Sequence, residues 1–296
     1  LEFRRVLFRS PGVYLGLGPC TLPNGVTYPV CTTAANLDQR RVLSLENPTR
    51  SALIGSVDKH AAVGTQNYHA LRLSAQRRAA TGLRLSGNYT RSYCVGNSIQ
   101  TTFGQVGSGF LKPDDPAFDR GNCSQDRTHI ANLTAGFQTP QFANTALRVI
   151  ASDWNISGIV NARSGTHLTV TTTRDIAFTG ISGQRPNQVK DDPYGNGTLG
   201  NFLNPAAFAY PDNGTLGNHK RGSVDGPAYW NMDLALARLI ALGPGQNVEL
   251  RLETFNLLNH FNWGDPVVNF DAANFGQIIT QAGSPRVLQF GIKYAF

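Results

Sequence analysis

The connections between the alternating segments of this chain constrain its fold more than any single motif. Seven segments place apolar residues at every second position, which is the pattern of β-strands with one apolar face. Short turns (AATG, TPQFANT, ALGPGQ) alternate along the chain with long polar loops. The predicted strands are Tyr68–Arg78, Leu83–Tyr93, His129–Phe137, Leu147–Val160, Trp230–Ile240, Val248–Phe255 and Arg286–Phe296.

This alternation of connectors favours a membrane barrel over a soluble sandwich. Outer-membrane barrels have short turns at the periplasmic end and long loops at the extracellular end. If Phe296 ends at the periplasmic side, all three short turns fall on that side and the seven strands run up and down without exception. The sequence therefore predicts an all-β fold, an antiparallel transmembrane β-barrel segment with long extracellular loops.

The faces of the predicted strands support the same fold. An arginine on a lipid face costs about 2 to 4 kcal/mol near the midplane, whereas a water-filled lumen tolerates it. Arg91 shares the face of Leu83 and Leu85, but it lies near the loop end, where this cost is small. The charged residues that alternate with leucines are predicted to face the lumen: Arg72, Arg84, Glu249, Arg251, Glu253 and Lys293.

Composition narrows the class of protein. The chain has 41% hydrophobic and 15% charged residues with 31 glycines, which favours strands and turns over a helical bundle. Its net charge of +7 is spread along the chain, so nucleic-acid binding is not expected. No apolar run is long enough for a membrane-spanning helix.

We found no signature of enzymatic chemistry. The sequence lacks GxSxG, HExxH, phosphate-loop and dinucleotide-binding patterns, and its six histidines show no i, i+4 pair. The acidic stretches KPDDP and KDDP could offer carboxylates to Ca²⁺, but their prolines and aspartates favour turns. We expect neither catalysis, nor a cofactor, nor a metal site.

The four cysteines fall in two loop segments, as Cys20 with Cys31 and Cys94 with Cys123. None forms a CxxC pair, so a zinc site is not indicated. Two local disulfides are the simplest interpretation, and they would require an oxidising compartment. Free thiols in a cytosolic protein are the alternative.

The C-terminal part of the sequence resembles a known family. The stretches ETFNLLNHFNWGDPVVNFDAANFGQI and SPRVLQFGIKYAF, together with FDRGNCSQDRTHIANLTAGF and NPAAFAYPDNGTLGNHKRGSVDGPAYWNMDLAL, are similar to TonB-dependent outer-membrane receptors of the Oar-like type, which carry a carboxypeptidase-regulatory-like domain. The resemblance implies a barrel of about 22 strands, closed by a plug and energised by the TonB complex. On this basis the chain supplies seven or eight strands of that barrel.

The last strand also resembles an outer-membrane insertion signal, which the barrel assembly machinery reads by pairing with an exposed strand edge. Its alternating residues are Leu288, Phe290, Ile292, Tyr294 and Phe296. The simpler alternative is that they form only a stripe facing the outer-membrane lipid, and one face could serve both purposes.

Three functions remain open at this point. The resemblance implies a receptor that moves an unknown extracellular substrate across the outer membrane. A structural or adhesive surface barrel without transport would have the same strands, and a soluble secreted β-module is the third possibility.

The first ten residues, LEFRRVLFRS, do not fit the barrel pattern. They resemble the in-frame translation of a sequencing-library adapter. We therefore expect residues 1–10 to be a non-native segment and residues 11–296 to be the C-terminal part of a receptor barrel.

Overall fold

The computed structural model describes residues 6–61, 63–80, 82–97 and 110–296, and its main feature is one large antiparallel sheet. Seven long strands lie in this sheet in the order of the sequence, and strands that are consecutive in this order pair with each other. They are β1 (Gln66–Arg78), β2 (Leu83–Gly96), β3 (His129–Gln138), β4 (Trp154–Arg163), β5 (Tyr229–Gly243), β6 (Gln246–Phe255) and β7 (Val287–Ala295).

The sheet has two outer edges. β1 pairs only with β2, and β7 pairs only with β6, among the strands that the structure describes. Backbone donors and acceptors along such an edge are available to a further strand. The described part of the chain thus forms an open sheet, with its first and last long strands at opposite edges.

The prediction of one continuous strand over Leu147–Val160 is wrong. A short helix, α3 (Thr145–Ala151), precedes β4 and belongs to the turn between β3 and β4. The side-chain oxygen of Asn144 accepts hydrogen bonds from the backbone N–H groups of Ala146 and Leu147, which caps the helix at its N-terminus. The apolar spacing of ALRVIA therefore follows a helical turn, and the period-two pattern begins only at Trp154.

The connectors at the other end contain only short elements. Two helices, α1 (Val42–Glu46) and α2 (Pro48–Ser51), lie before β1, and 3-10 turns occur at Asp38–Arg40, Pro116–Asp119 and Pro205–Ala207. Gly121–Asn122 extends the large sheet beside β2. The other short strands pair as Val6–Arg9 with Asp58–Ala61, Cys20–Thr21 with Thr27–Tyr28, His167–Leu168 with Val224–Asp225, Asn187–Gln188 with Phe208–Ala209, Tyr194–Thr198 with Asn201–Leu203, and Asn262–Trp263 with Gln281–Ala282.

The hydrophobic core lies in the long loops and not on the large sheet. Its buried side chains come from the loop between β4 and β5 and from the loop between β6 and β7, and they are Val170, Leu203, Ala207, Phe208, Val224 and Phe275. The aromatic rings of Phe208 and Phe275 meet edge to face with centroids 5.6 Å apart. These loops thus pack together into one unit at one end of the sheet, which we call the loop body.

The N-terminal segment is only partly described. Residues 1–5 of the predicted adapter segment lie outside the described residues, and Val6–Arg9 pairs with Asp58–Ala61. Strand pairing does not report the origin of a sequence, so the adapter interpretation stays a prediction that the nucleotide sequence would test.

Candidate functional site

The register of the large sheet assigns every strand residue to one of two faces, because directly opposite residues of antiparallel strands project to the same side. We call one side the polar face; its central rows are Ser86, Thr134, Ile159 and Asp233, and Asn88, Asn132, Asn161 and Asn231. The other side is the apolar face, with Leu85, Ala135, Gly158 and Leu234 in one row.

All six charged residues that were predicted to share a face do so. Arg72 lies opposite Thr90 and Arg84 opposite Gly136, while Lys293 lies opposite Glu249. Arg251 donates hydrogen bonds to Glu249 at 2.8 Å and to Glu253 at 3.4 Å, so these three charges form one ladder along β6. The structure thus places all six charged residues on one face of the sheet. That this face lines a lumen stays a prediction.

The predicted insertion-signal residues lie on the apolar face. In β7, Leu288, Phe290, Ile292 and Tyr294 alternate along this side and face Thr254, Leu252, Leu250 and Val248 of β6, while Phe296 follows the strand. Phe290 is 76% exposed and Ile292 is 78% exposed. Such an extended apolar surface on a folded chain indicates contact with lipid or with another protein surface.

Three arginines also lie on the apolar face, and sequence analysis recognised only Arg91 among them. Arg77 lies opposite Leu85, and Arg238 lies opposite Trp154, both near the turn end of the sheet. The guanidinium of Arg238 packs against the Trp154 ring and donates to the carbonyl oxygen of Val149 in α3. Helix α3, absent from the predicted fold, therefore supplies a partner for this charge.

A row of four asparagines crosses the polar face, and sequence analysis missed it. Asn88, Asn132, Asn161 and Asn231 lie directly opposite one another on β2, β3, β4 and β5. Asn132 donates to Asn88 at 3.0 Å, and Asn161 donates to Asn231 at 3.3 Å. Each asparagine stands at a polar position of its own strand, but only the register shows that the four are neighbours.

Hydrogen bonds and disulfides hold the loop end of the sheet together. His167 is 2.6 Å from Asp225 through Nδ1 and 3.3 Å from the Thr128 hydroxyl through Nε2, so it connects the start of β3 to the loop between β4 and β5. Disulfides join Cys20 to Cys31 and Cys94 to Cys123. The second disulfide attaches the loop between β2 and β3 to the end of β2.

Asp271 organises a second polar cluster in the loops. Its carboxylate accepts hydrogen bonds from the hydroxyls of Tyr210, Thr172 and Thr173 and forms an ion pair with Arg174. Burial alone would raise the pKa of Asp271, but the hydrogen bonds outweigh it and hold this pKa well below its usual range. The residue is thus a fixed negative charge that ties together two loops.

Buried His219 gives the loop body an expected acid sensitivity. Its side chain accepts a hydrogen bond from the Val170 N–H and contacts Gln188, and only 1% of the residue is exposed. Burial, assisted by the charge of Arg185, lowers the pKa of His219 from 6.5 to about 4. The neutral imidazole therefore stabilises the fold fully above pH 6.5, and this contribution is lost as the pH falls towards 4.

At pH 5 we expect a loss of about 2 kcal/mol in the stability of the loop body relative to neutral pH. Hydrogen exchange of the Val170 amide, corrected for its intrinsic pH dependence, would measure it. A His219→Gln variant serves as the control, because it should lose this pH response. Equal responses of both proteins would contradict the assignment.

The sequence model of a family described as outer membrane beta barrel domain matches residues 14–289, which is most of the chain. No curated protein matches it. Among the described residues, no helix has the length and apolarity to cross a membrane.

Proposed function

Because the chain belongs to the outer membrane beta barrel domain family and lies in the outer membrane, we propose that it is the C-terminal part of an Oar-like TonB-dependent receptor. In this proposal it is not an enzyme: the complete receptor moves an unidentified extracellular substrate across the membrane with energy from the TonB complex. The apolar face meets the lipid, and the polar face lines the lumen.

The charge balance of the polar face is the observation that carries the proposal. Within the seven long strands this face has six cations, Arg72, Arg78, Arg84, Arg163, Arg251 and Lys293, against three carboxylates, Asp233, Glu249 and Glu253. Small barrels of about eight strands fill their interior with side chains, whereas large barrels enclose water or a plug. A face with this much charge suits the wall of a wide, wet lumen.

The pairing of Arg78 with Arg84 supports a plug in particular. These two arginines lie directly opposite each other in the register, and neither forms an ion pair with a described residue. Like charges in directly opposite positions destabilise a sheet. An acidic surface inside the lumen would neutralise them, and a plug that fills the barrel could present one.

The open edges of the sheet fit a part of a larger barrel. In the proposal, further strands pair with β1 and β7 until a barrel of about 22 strands closes. The apolar stripe of β7 and the terminal Phe296 would be read by the barrel assembly machinery during insertion. A structural or adhesive surface barrel without transport is the second candidate, because exposed loops with a packed core suit either function.

The complete reading frame separates the two candidates. We expect it to encode a plug and a TonB-contacting segment upstream of the barrel. The purified complete protein in detergent should then retain the periplasmic domain of TonB on an affinity column, and deletion of the TonB-contacting segment should abolish this retention. Absence of a plug, or equal retention by both forms, would favour the structural barrel.

A further inference from the structure

The polar face contains a cavity at its loop end. It has a volume of about 550 Å³, which is within the range of small-molecule sites. The loop before β3 contributes Ser124, Gln125 and Arg127, and strands β3, β4 and β5 contribute three asparagines of the row, together with Arg163 and Tyr229. The proposed extracellular loops and the proposed lumen wall therefore meet at this cavity.

Two cationic side chains line this cavity. The Arg163 guanidinium carbon lies 4.6 Å from the centre of the Tyr229 ring, so the ring holds the planar group in place by a cation–π contact. One nitrogen of Arg127 donates to the carbonyl oxygens of Ser124 and Asp126, which fixes the second guanidinium at the rim. Neither arginine forms an ion pair with a described residue, and no acidic side chain is among the described residues that line the cavity.

Two acidic residues are close to the cavity wall, and neither lines it. Asp233 accepts hydrogen bonds from the Asn231 amide at 3.2 Å and from the Asn256 N–H at 2.8 Å, and Asp126 is turned away. Asp126 is 7% exposed, and its Oδ1 accepts a hydrogen bond from the Ser92 hydroxyl at 2.6 Å. It is absent from the cavity wall, although Gln125 and Arg127 on either side of it are present. The open guanidinium nitrogens of Arg127 and Arg163 thus suit a carboxylate, which an arginine can bind through two parallel hydrogen bonds.

The asparagines add neutral hydrogen-bonding groups beside the two charges. Asn132, Asn161 and Asn231 line the cavity on adjacent strands, at intervals of about 4.8 Å. The side-chain oxygens of Asn132 and Asn161 accept no hydrogen bond from a described residue, so both are available to a ligand. Amide groups both donate and accept, as alcohol hydroxyls do.

We propose that this cavity binds an acidic sugar, with its carboxylate at Arg127 and Arg163 and its hydroxyls along the asparagine row. The proposal deepens the transport function, because it names the substrate class that the receptor would admit at the mouth of its lumen. The wall is more polar than apolar, with Ile130, Ala162 and the Tyr229 ring as its apolar part, which suits a sugar better than a lipid.

Calorimetric titration of the complete receptor in detergent micelles tests the proposal. The probes are digalacturonate and galactobiose, which differ in their carboxylates, with inorganic phosphate as a competitor. We expect digalacturonate to bind at least about tenfold more tightly than galactobiose, because charge-assisted hydrogen bonds contribute more than neutral ones. Phosphate should not displace it at equal concentration.

Three variants locate the site. R163Q should weaken digalacturonate binding by about tenfold or more and leave galactobiose binding unchanged, whereas R163K should fall between R163Q and the natural protein. Asn161→Ala should weaken binding of both sugars. R72Q is the matched control: Arg72 lies on the same face outside this cavity and forms no ion pair with a described residue, so its replacement should change neither affinity.

Several results would overturn the assignment. These are no binding of digalacturonate, equal affinity for galactobiose, displacement by phosphate, or a loss in R72Q as large as in R163Q. Heat-modifiable migration on gels checks that each variant is folded. The titration requires no TonB, so a negative result here leaves the TonB retention experiment able to support transport, and the reverse also holds.

Discussion

Replacement of Asp119 by alanine should destabilise the loop body by about 3 to 5 kcal/mol, because it leaves a buried arginine without its counter-ion. Asp119 and Arg185 form an ion pair at 2.7 Å, and both side chains are almost fully buried. The second carboxylate oxygen of Asp119 accepts the Leu111 N–H, also at 2.7 Å. The substitution therefore removes partners from two buried donors at once.

The position of this pair in the fold explains the expected size of the effect. It joins the loop between β2 and β3 to the loop between β4 and β5. Arg185 also donates to the Phe118 carbonyl oxygen, and its guanidinium lies over the Phe118 ring. These contacts hold the arginine in place, so it cannot reach water without displacing the loop.

Urea unfolding in micelles, followed by the protection of loop amides, would measure the loss. D114A is the matched control, because Asp114 is an exposed carboxylate of the same loop and its removal should change stability by less than about 0.5 kcal/mol. The double variant D119L/R185M should recover part of the loss, since replacing both charges leaves no unpaired ion. Similar stabilities of D119A and D114A would show that the pair is not buried in solution.

Period-two alternation located the strands of the sheet, because successive side chains of a strand point to opposite faces of the sheet. Leu288, Phe290, Ile292 and Tyr294 share a face for this reason. The same criterion failed at Leu147–Val160, where a cap by Asn144 starts a helix whose apolar residues look like strand residues over a few positions. Short apolar runs are ambiguous between the two structures, and a local hydrogen bond decides between them.

The candidate site could not be predicted from the sequence, for a different reason. Asn88, Asn132, Asn161 and Asn231 come from strands separated by loops of very different length, and a shift of one residue in any strand would disperse the row. The hydrophobic core of the loops could not be predicted for the same reason, since Val170 and Phe275 meet only through long-range packing. Composition marks such segments as loops, but it does not show which loops pack together.

Replacement of Leu236 by arginine should lower the free energy of unfolding in a lipid bilayer by about 2 to 4 kcal/mol. Replacement of the preceding residue, Ala235, by arginine should change it very little. Leu236 is at the centre of β5 and lies on the apolar face between Ile156 and Leu252. Ala235 lies on the polar face between Ser157 and Glu253, where an arginine could pair with the carboxylate. The two positions are at the same depth and differ in the face they occupy.

Unfolding of L236R and A235R in lipid vesicles would compare the two faces directly. L236A measures the part of the loss that comes from missing apolar contacts, and the remaining cost of L236R is the cost of charge in lipid. If the polar face is the lumen wall, only L236R should lose this additional stability. The reverse order, with A235R the more damaged variant, would mean that the polar face is packed against protein or lipid, and the lumen and the acidic-sugar site would have to be abandoned together.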